Sequence, residues 1–217
     1  MLSMPLIERL SDGGTVLCLG AHSDDIEIGC GGAIRKLIDA SKDLTVHWII
    51  LSASGVRDRE ARSSAETMLA SAKNSKIEIR DFRNGFFPYQ ATEIKEYFET
   101  LKLLKNPDLI FTHYSHDRHQ DHRLVSELTW NTYRDHLILE YEIPKYDGDL
   151  TSPNVFVALN DEQVKAKQVH LMSHFESQHD KQWFTPETFS SLCRIRGIEC
   201  NSPTGFAEGF HSRKLVL

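Results

Sequence analysis

Apolar and polar positions change their period in a regular way along the first two thirds of the chain. Thr15–Leu19 is a short continuous apolar run, which predicts a buried strand. Gly31–Ala40 carries Ile34, Leu37 and Ile38 on one helical face. Val46–Leu51 predicts a second strand, Asp58–Ala72 a helix, Lys76–Arg80 a short strand and Thr92–Leu104 another helix. Behind the turn "NPD" comes a strand, Leu109–His113, then a helix from about His122 to Tyr133. Strands alternating with helices at this spacing predict an α/β chain whose parallel sheet is built with right-handed crossovers.

The last third is less regular. "LILEYEI" and "NVFVAL" predict strands around the loop "PKYDGDLTSP". Val164–His174 and Pro186–Ile195 predict helices, and "GFAEGFHSRKLVL" a terminal loop and strand. No repeat, low-complexity tract or linker interrupts the chain. Residues 1–217 therefore read as a single domain, with a regular core over about 13–135 and a looser part over about 136–217.

Composition removes several classes of function. With 40% hydrophobic and 26% charged residues the chain is neither disordered nor bilayer-embedded. Its longest apolar runs are far shorter than a membrane span. The start "MLSMPLIERL" lacks the basic and apolar regions of a secretory leader, so a cytoplasmic location is expected. The net charge of −6, without a basic block, argues against nucleic acid as the main partner. Cys18, Cys30, Cys193 and Cys200 form no C-x-x-C pair and read as small core residues.

Two clusters carry chemistry, and each follows a strand. After β-forming "TVLCLG" the chain places His22, Asp24, Asp25 and Glu27 in the turn, where a phosphate-binding fold would place bare glycines. The strand near Phe111 runs into "THYSHDRHQDH", with His113, His116, His119 and His122 recurring every third residue. Ligands of open α/β sheets gather at the carboxyl ends of strands, so both clusters are expected on one edge. Taken alone, His-x-Asp-Asp is also a helix start with dipole-friendly acids, and spaced histidines are usually surface groups. Together, imidazoles and carboxylates suit a divalent metal, zinc above all. His22, Asp24, Asp25 and His122 then supply three ligands and a base.

"AHSDDIEIGCGG" with "HQDH" about a hundred residues later resembles the PIG-L, or LmbE-like, family of zinc-dependent N-deacetylases. "GVRDREARSSAETMLA" is similar to that family's R-x-x-E-rich helix, with Arg57 and Glu60 in place, and "FRNGFF" to its D-G turn, with Asn84 for the usual aspartate. Ser23 and Gln120 each stand where the family has proline, and Ile26-Glu27 replaces its acidic pair with an apolar residue and one acid. The resemblance implies an α/β, Rossmann-like three-layer sandwich with a mostly parallel sheet. It implies His22, Asp25 and His122 as metal ligands, Asp24 as general base, protonated His119 at the oxyanion and Asp121 as a supporting carboxylate. Arg57 and Asn84 are candidates for sugar hydroxyls; Tyr141, Glu142 and Tyr146 for the wall of the sugar site.

The reaction so implied is hydrolysis of the acetamide of an N-acetylated amino sugar, or its conjugate, to amine and acetate. Zinc is the expected cofactor; iron(II) or another divalent ion stays open, because two imidazoles and a carboxylate do not select by themselves. The partner is a small molecule, and a homo-oligomer is left open. Two rivals remain at this point: a zinc hydrolase of a non-sugar amide or ester, and a nucleotide- or sugar-binding protein without catalysis.

Overall fold

The computed structural model describes residues 5–10, 12–41 and 43–216. Residues 1–4 of the stretch read for a leader, and Leu217 of the terminal strand, lie outside the described residues. A short turn of helix, α1 (Leu6–Arg9), precedes the core. Then β1 (Thr15–His22), α2 (Asp25–Ala40), β2 (Thr45–Ser52), α3 (Val56–Leu69) and β3 (Asn74–Ile79) follow in turn. After a 3-10 turn at Phe87–Gln90 come α4 (Ala91–Leu101), β4 (Leu109–His113), α5 (Gln120–Thr132) and β5 (Ile138–Tyr141). The chain closes with β6 (Val155–Leu159), α6 (Asp161–His174), a 3-10 turn at Glu176–Gln178, α7 (Pro186–Glu199) and β7 (Phe206–His211).

The strands form a seven-stranded sheet in the order β3-β2-β1-β4-β5-β7-β6. The first five are parallel, and β7 runs antiparallel between β5 and β6. β1 is buried at every position, as expected of a central parallel strand covered on both faces. Its alternation divides the core. Val16 and Cys18 join Trp48, Ile50 and residues of α2, α3, α6 and α7 on one face. Leu17, Leu19 and Ala21 join Ile49, Leu51 and residues of α4 and α5 on the other. The expected three-layer α/β sandwich with a mostly parallel sheet is the observed one.

The largest departure from the sequence reading is α2, which begins at Asp25 and not at Gly31. Glycine lowers helix propensity, so "GCGG" reads as a loop. In the fold it is a helix kinked at Cys30 (φ −145°, ψ 15°). A Cβ on Gly29 would lie 2.1 Å from the Tyr141 ring. The kink exposes fresh backbone donors, and the Glu208 carboxylate accepts from the N–H groups of Gly32 (2.9 Å) and Ala33 (2.7 Å). Tertiary packing thus overrides propensity and brings Asp25 into a first helical turn.

The four cysteines are free thiols; Cys18, Cys30 and Cys193 are buried and Cys200 half-buried. Among the described residues no helix is long and apolar enough to cross a membrane.

Candidate metal centre

β1 and β4 are neighbours, but the crossovers from them run to opposite sides of the sheet, since β2 lies beyond β1 and β5 beyond β4. That reversal opens a crevice at their carboxyl ends. His22 is the last residue of β1, Asp25 the first of α2, and His113 the last of β4. His119 caps α5, and Asp121 and His122 lie in its first turn. The two sequence clusters therefore meet, although about a hundred residues separate them.

The contacts sort the histidine nitrogens. His22 Nε2 lies 3.2 Å from Asp121 Oδ2, which leaves Nδ1 turned inward. His122 Nδ1 lies 2.9 Å from Asp117 Oδ2, which leaves Nε2 turned inward. The two inward nitrogens are 3.1 Å apart, and Asp25 carboxylate oxygens lie 3.4 Å from the first and 3.6 Å from the second. Ligands of a tetrahedral ion at about 2.0–2.2 Å are spaced roughly 3.3–3.6 Å apart. The donor set fits a divalent cation. His119 with His22 and His122, and Asp25 with His113 and His122, form overlapping groups of the same kind. In the second group His113 Nε2 already accepts the N–H of Ala21 at 2.9 Å, and its ring stacks on His122 at 3.9 Å.

Burial and charge set the protonation. Burial works against the His22 imidazolium, but the carboxylates of Asp25 and Asp121 outweigh it and hold the group up at about 9. Burial, reinforced by the neighbouring His113, pushes His122 down to about 3. Asp25 overcomes its burial through His122, His113 and His22, and lies well below the usual carboxylate range. Asp24 is shifted the other way, upward, by burial and by the Asp25 charge, with Arg57 and Lys181 opposing. Two adjacent aspartates are thereby given opposite character.

Asp24 occupies the N-cap position of α2 yet makes no side-chain capping bond, so helix capping does not account for it. Arg57 at the start of α3 donates to Ser23 Oγ (3.0 Å) and to Asp24 Oδ1 (3.3 Å). The serine that replaces proline thus helps to seat the arginine. Glu60, one turn further on, accepts from Ser177 N (2.8 Å) and Oγ (2.5 Å) and docks the segment that carries Lys181. Lys181, whose charge opposes the upward shift of Asp24, was not named in the sequence reading.

His119 packs against the rings of His22 and His122. Its Nδ1 accepts the Asp121 N–H at 3.2 Å, and burial, reinforced by the charge of His22, lowers its pKa. Both features disfavour the imidazolium, and with Nδ1 as acceptor Nε2 is the ring's donor. Asp121 also accepts from Gly85 N (2.6 Å) and Phe87 N (3.1 Å), which ties the "FRNGFF" turn to His22. Asn84 beside it is exposed and makes no side-chain hydrogen bond among the described residues. Tyr141 is fully buried, its hydroxyl donating to Leu19 O at 2.6 Å, and the buried Glu142 pairs with Arg196 at 2.6 Å. Glu27, pushed up to about 8 by burial, faces Ser64 on α3 and not the histidines. Asp117 was within the quoted "HDRHQDH" but had no role assigned; its position two residues before His119 was the available signal.

Residues 17–133, more than half of the chain, match the family described as PIG-L: GlcNAc-PI de-N-acetylase. The chain belongs to that family of metal-dependent de-N-acetylases, hydrolases that act on an amide C–N bond. It is 26% identical to the uncharacterized deacetylase YaiS of Escherichia coli over 189 residues, 80% of this chain and 97% of the relative. It is 28% identical over 134 residues to the diacetylchitobiose deacetylase of Thermococcus kodakarensis, covering 56% of this chain and 50% of that protein. GalB, the 4-carboxy-2-hydroxymuconate hydratase of Pseudomonas putida, shares the fold at a TM-score of 0.70 and 17% identity, over 94% of this chain and 98% of the other.

Proposed function

We propose that this chain, folded as a single domain, is a zinc-dependent deacetylase of an N-acetylated amino sugar or its conjugate. One observation carries the reading: each of two imidazoles has its outer nitrogen on a carboxylate, while their inner nitrogens and Asp25 converge within 3.1–3.6 Å. Such carboxylate partners fix the tautomer and aim of metal-binding histidines. His22 Nδ1, Asp25 and His122 Nε2 would hold the ion. When bound there, zinc supplies Lewis acidity and lowers the pKa of a water towards about 7.

The chain's own residues do the rest. Asp24, raised by burial, accepts the proton of the attacking water and returns it to the departing amine. His119 donates from Nε2 to the acetyl oxygen as charge develops, a stabilisation worth a few kcal/mol, about 3–4, for one such donor. Arg57 keeps the Asp24 carboxylate turned to its place. Asn84, exposed beside the Asp121-bound turn, is suited to meet a sugar hydroxyl at the rim. The diacetylchitobiose deacetylase relative supports an amino-sugar substrate.

The test is acetate release by zinc-loaded protein across N-acetyl amino sugars, their glycosides and acyl amino acids. Release from the sugars is expected, with loss on exhaustive chelation and recovery on added zinc. Turnover of acyl amino acids alone would move the proposal to a non-sugar amide; full activity without metal would end it.

A further inference from the structure

Outside the metal set, the most heavily occupied polar cluster lies under the loop between β5 and β6. Lys145 Nζ is 3.0 Å from Asp117 Oδ2, 2.7 Å from Asp149 Oδ2 and 3.8 Å from Asp147, with its side chain only 10% exposed. Those three aspartates form a carboxylate group that by itself could hold a cation. Here the ammonium fills that place. The same Asp117 oxygen that meets Lys145 also meets His122 Nδ1 at 2.9 Å. Asp117 Oδ1 accepts the N–H of His119 at 2.7 Å, and Asp149 Oδ2 accepts the N–H of Arg118 at 2.7 Å.

We propose that Lys145 is a positioning residue for the metal centre, acting through Asp117 on His122. A carboxylate shared between an imidazole N–H and a buried ammonium cannot rotate away from either without leaving a buried donor or a buried charge unpaired. Lys145 therefore fixes the plane of the His122 ring and the direction of its inner nitrogen. Its position in the loop also means that "PKYDGD", which lacks any sequence motif, is part of the site's framework. The bond from the Arg118 N–H to the Asp149 carboxylate ties that loop to the segment bearing His119 and His122. This inference rests on the reading of His22, Asp25 and His122 as the metal set.

The test compares Lys145→Met, Lys145→Gln and Lys145→Arg with wild type, and uses Asp147→Asn, the outer and more exposed carboxylate, as control. Zinc affinity is read by competition with a chromogenic chelator, and ligand geometry by the visible absorption of cobalt-substituted protein. Loss of an outer partner of a metal-bound histidine typically costs about 10- to 100-fold in affinity. Lys145→Met and Lys145→Gln are expected to show that loss with an altered cobalt spectrum. Lys145→Arg should recover to within a few-fold, and Asp147→Asn should match wild type. Failure of the arginine variant to recover either readout, with its fold intact, would show a structural role and overturn the proposal. So would wild-type affinity and spectrum in a folded Lys145→Gln. Should Lys145→Met not fold, the glutamine and arginine pair decides alone. Wild-type protein that takes up no zinc would refute the metal set itself; zinc uptake with unaffected variants would refute only the role of Lys145.

Discussion

Two regions of this molecule bury several charges each, and they bury them to opposite ends. Beneath α6 and α7, Lys167 Nζ lies 2.5 Å from Glu208 Oε1 and 2.6 Å from Ile28 O, while Glu208 also caps the kink of α2. Nearby, Arg196 pairs with Glu142 and Glu199 and donates to Thr151 O. Positive and negative groups there answer one another, and every ion has its donors or acceptors. At the ends of β1 and β4, by contrast, His22 Nδ1, His122 Nε2 and the Asp25 carboxylate converge to within 3.1–3.6 Å of one another. Burial of polar groups does not by itself mark a site. Convergence of metal-binding donor atoms on one point does.

The sharpest way to break this contrast is at the two adjacent aspartates. Asp25→Ala and His122→Ala should lose most of the zinc, as measured by metal content after desalting. Asp24→Asn should keep metal and thermal stability while kcat falls by roughly 10²–10⁴, the usual worth of a positioned general base. An Asp24→Asn enzyme within a few-fold of wild type and fully zinc-loaded would remove Asp24 from the chemistry.

The saturated region should respond in the other currency, stability. Lys167→Met leaves the buried Glu208 carboxylate without its cation, with only the N–H groups of Gly32 and Ala33, and breaking one side of such a pair costs about 3–5 kcal/mol. Denaturant unfolding should report that loss, while zinc per folded molecule stays unchanged. A drop in metal affinity of the folded variant would show that the two regions are coupled through α2, against the separation argued above.

A smaller effect follows from His22. Without metal its imidazolium persists up to about pH 9, held by Asp25 and Asp121 against burial. Zinc requires the Nδ1 lone pair, so protons compete throughout the neutral range. Apparent zinc affinity should climb about tenfold per pH unit from pH 7 towards 9 and then level, with close to one proton released per zinc at pH 7. Calorimetry in buffers of different ionisation enthalpy measures that proton. An ordinary imidazole would confine this competition to below about pH 6.5; the carboxylate partners move it upward.

That shift illustrates what was legible and what was not. His22, Asp24, Asp25, His119 and His122 could be read because each follows a strand, and strand ends of a parallel sheet converge by topology alone. The early start of α2 was hidden because Gly29 is set by the Tyr141 ring, a contact no local propensity encodes. Asp117, Lys145 and Lys181 were hidden for a related reason. Their value lies in which nitrogen or oxygen they face, and that depends on where two irregular loops fold back. The proton on His119 was likewise a matter of one backbone N–H.

Arg57 gives the smallest expected effect, and it separates two roles. The sequence offered it as a sugar contact; the structure sets it on Asp24 Oδ1 at 3.3 Å and on Ser23. Its side chain is 27% exposed, so solvent screens the pair and its worth is about 1 kcal/mol or less. Arg57 opposes the burial that raises Asp24, so Arg57→Ala should raise Asp24 further. Asp24 works as a base only when ionised. The acidic limb of the kcat/KM profile, which reports the free enzyme, should therefore move to higher pH by less than about one unit. On the acidic side of the limb the variant should lose several-fold in activity, and well above the limb it should approach wild type. A sugar contact predicts something else: KM raised by a similar factor at every pH, with the limb unmoved. Recording kcat and KM from pH 5 to 9 for the two enzymes distinguishes a residue that tunes the base from one that holds the substrate.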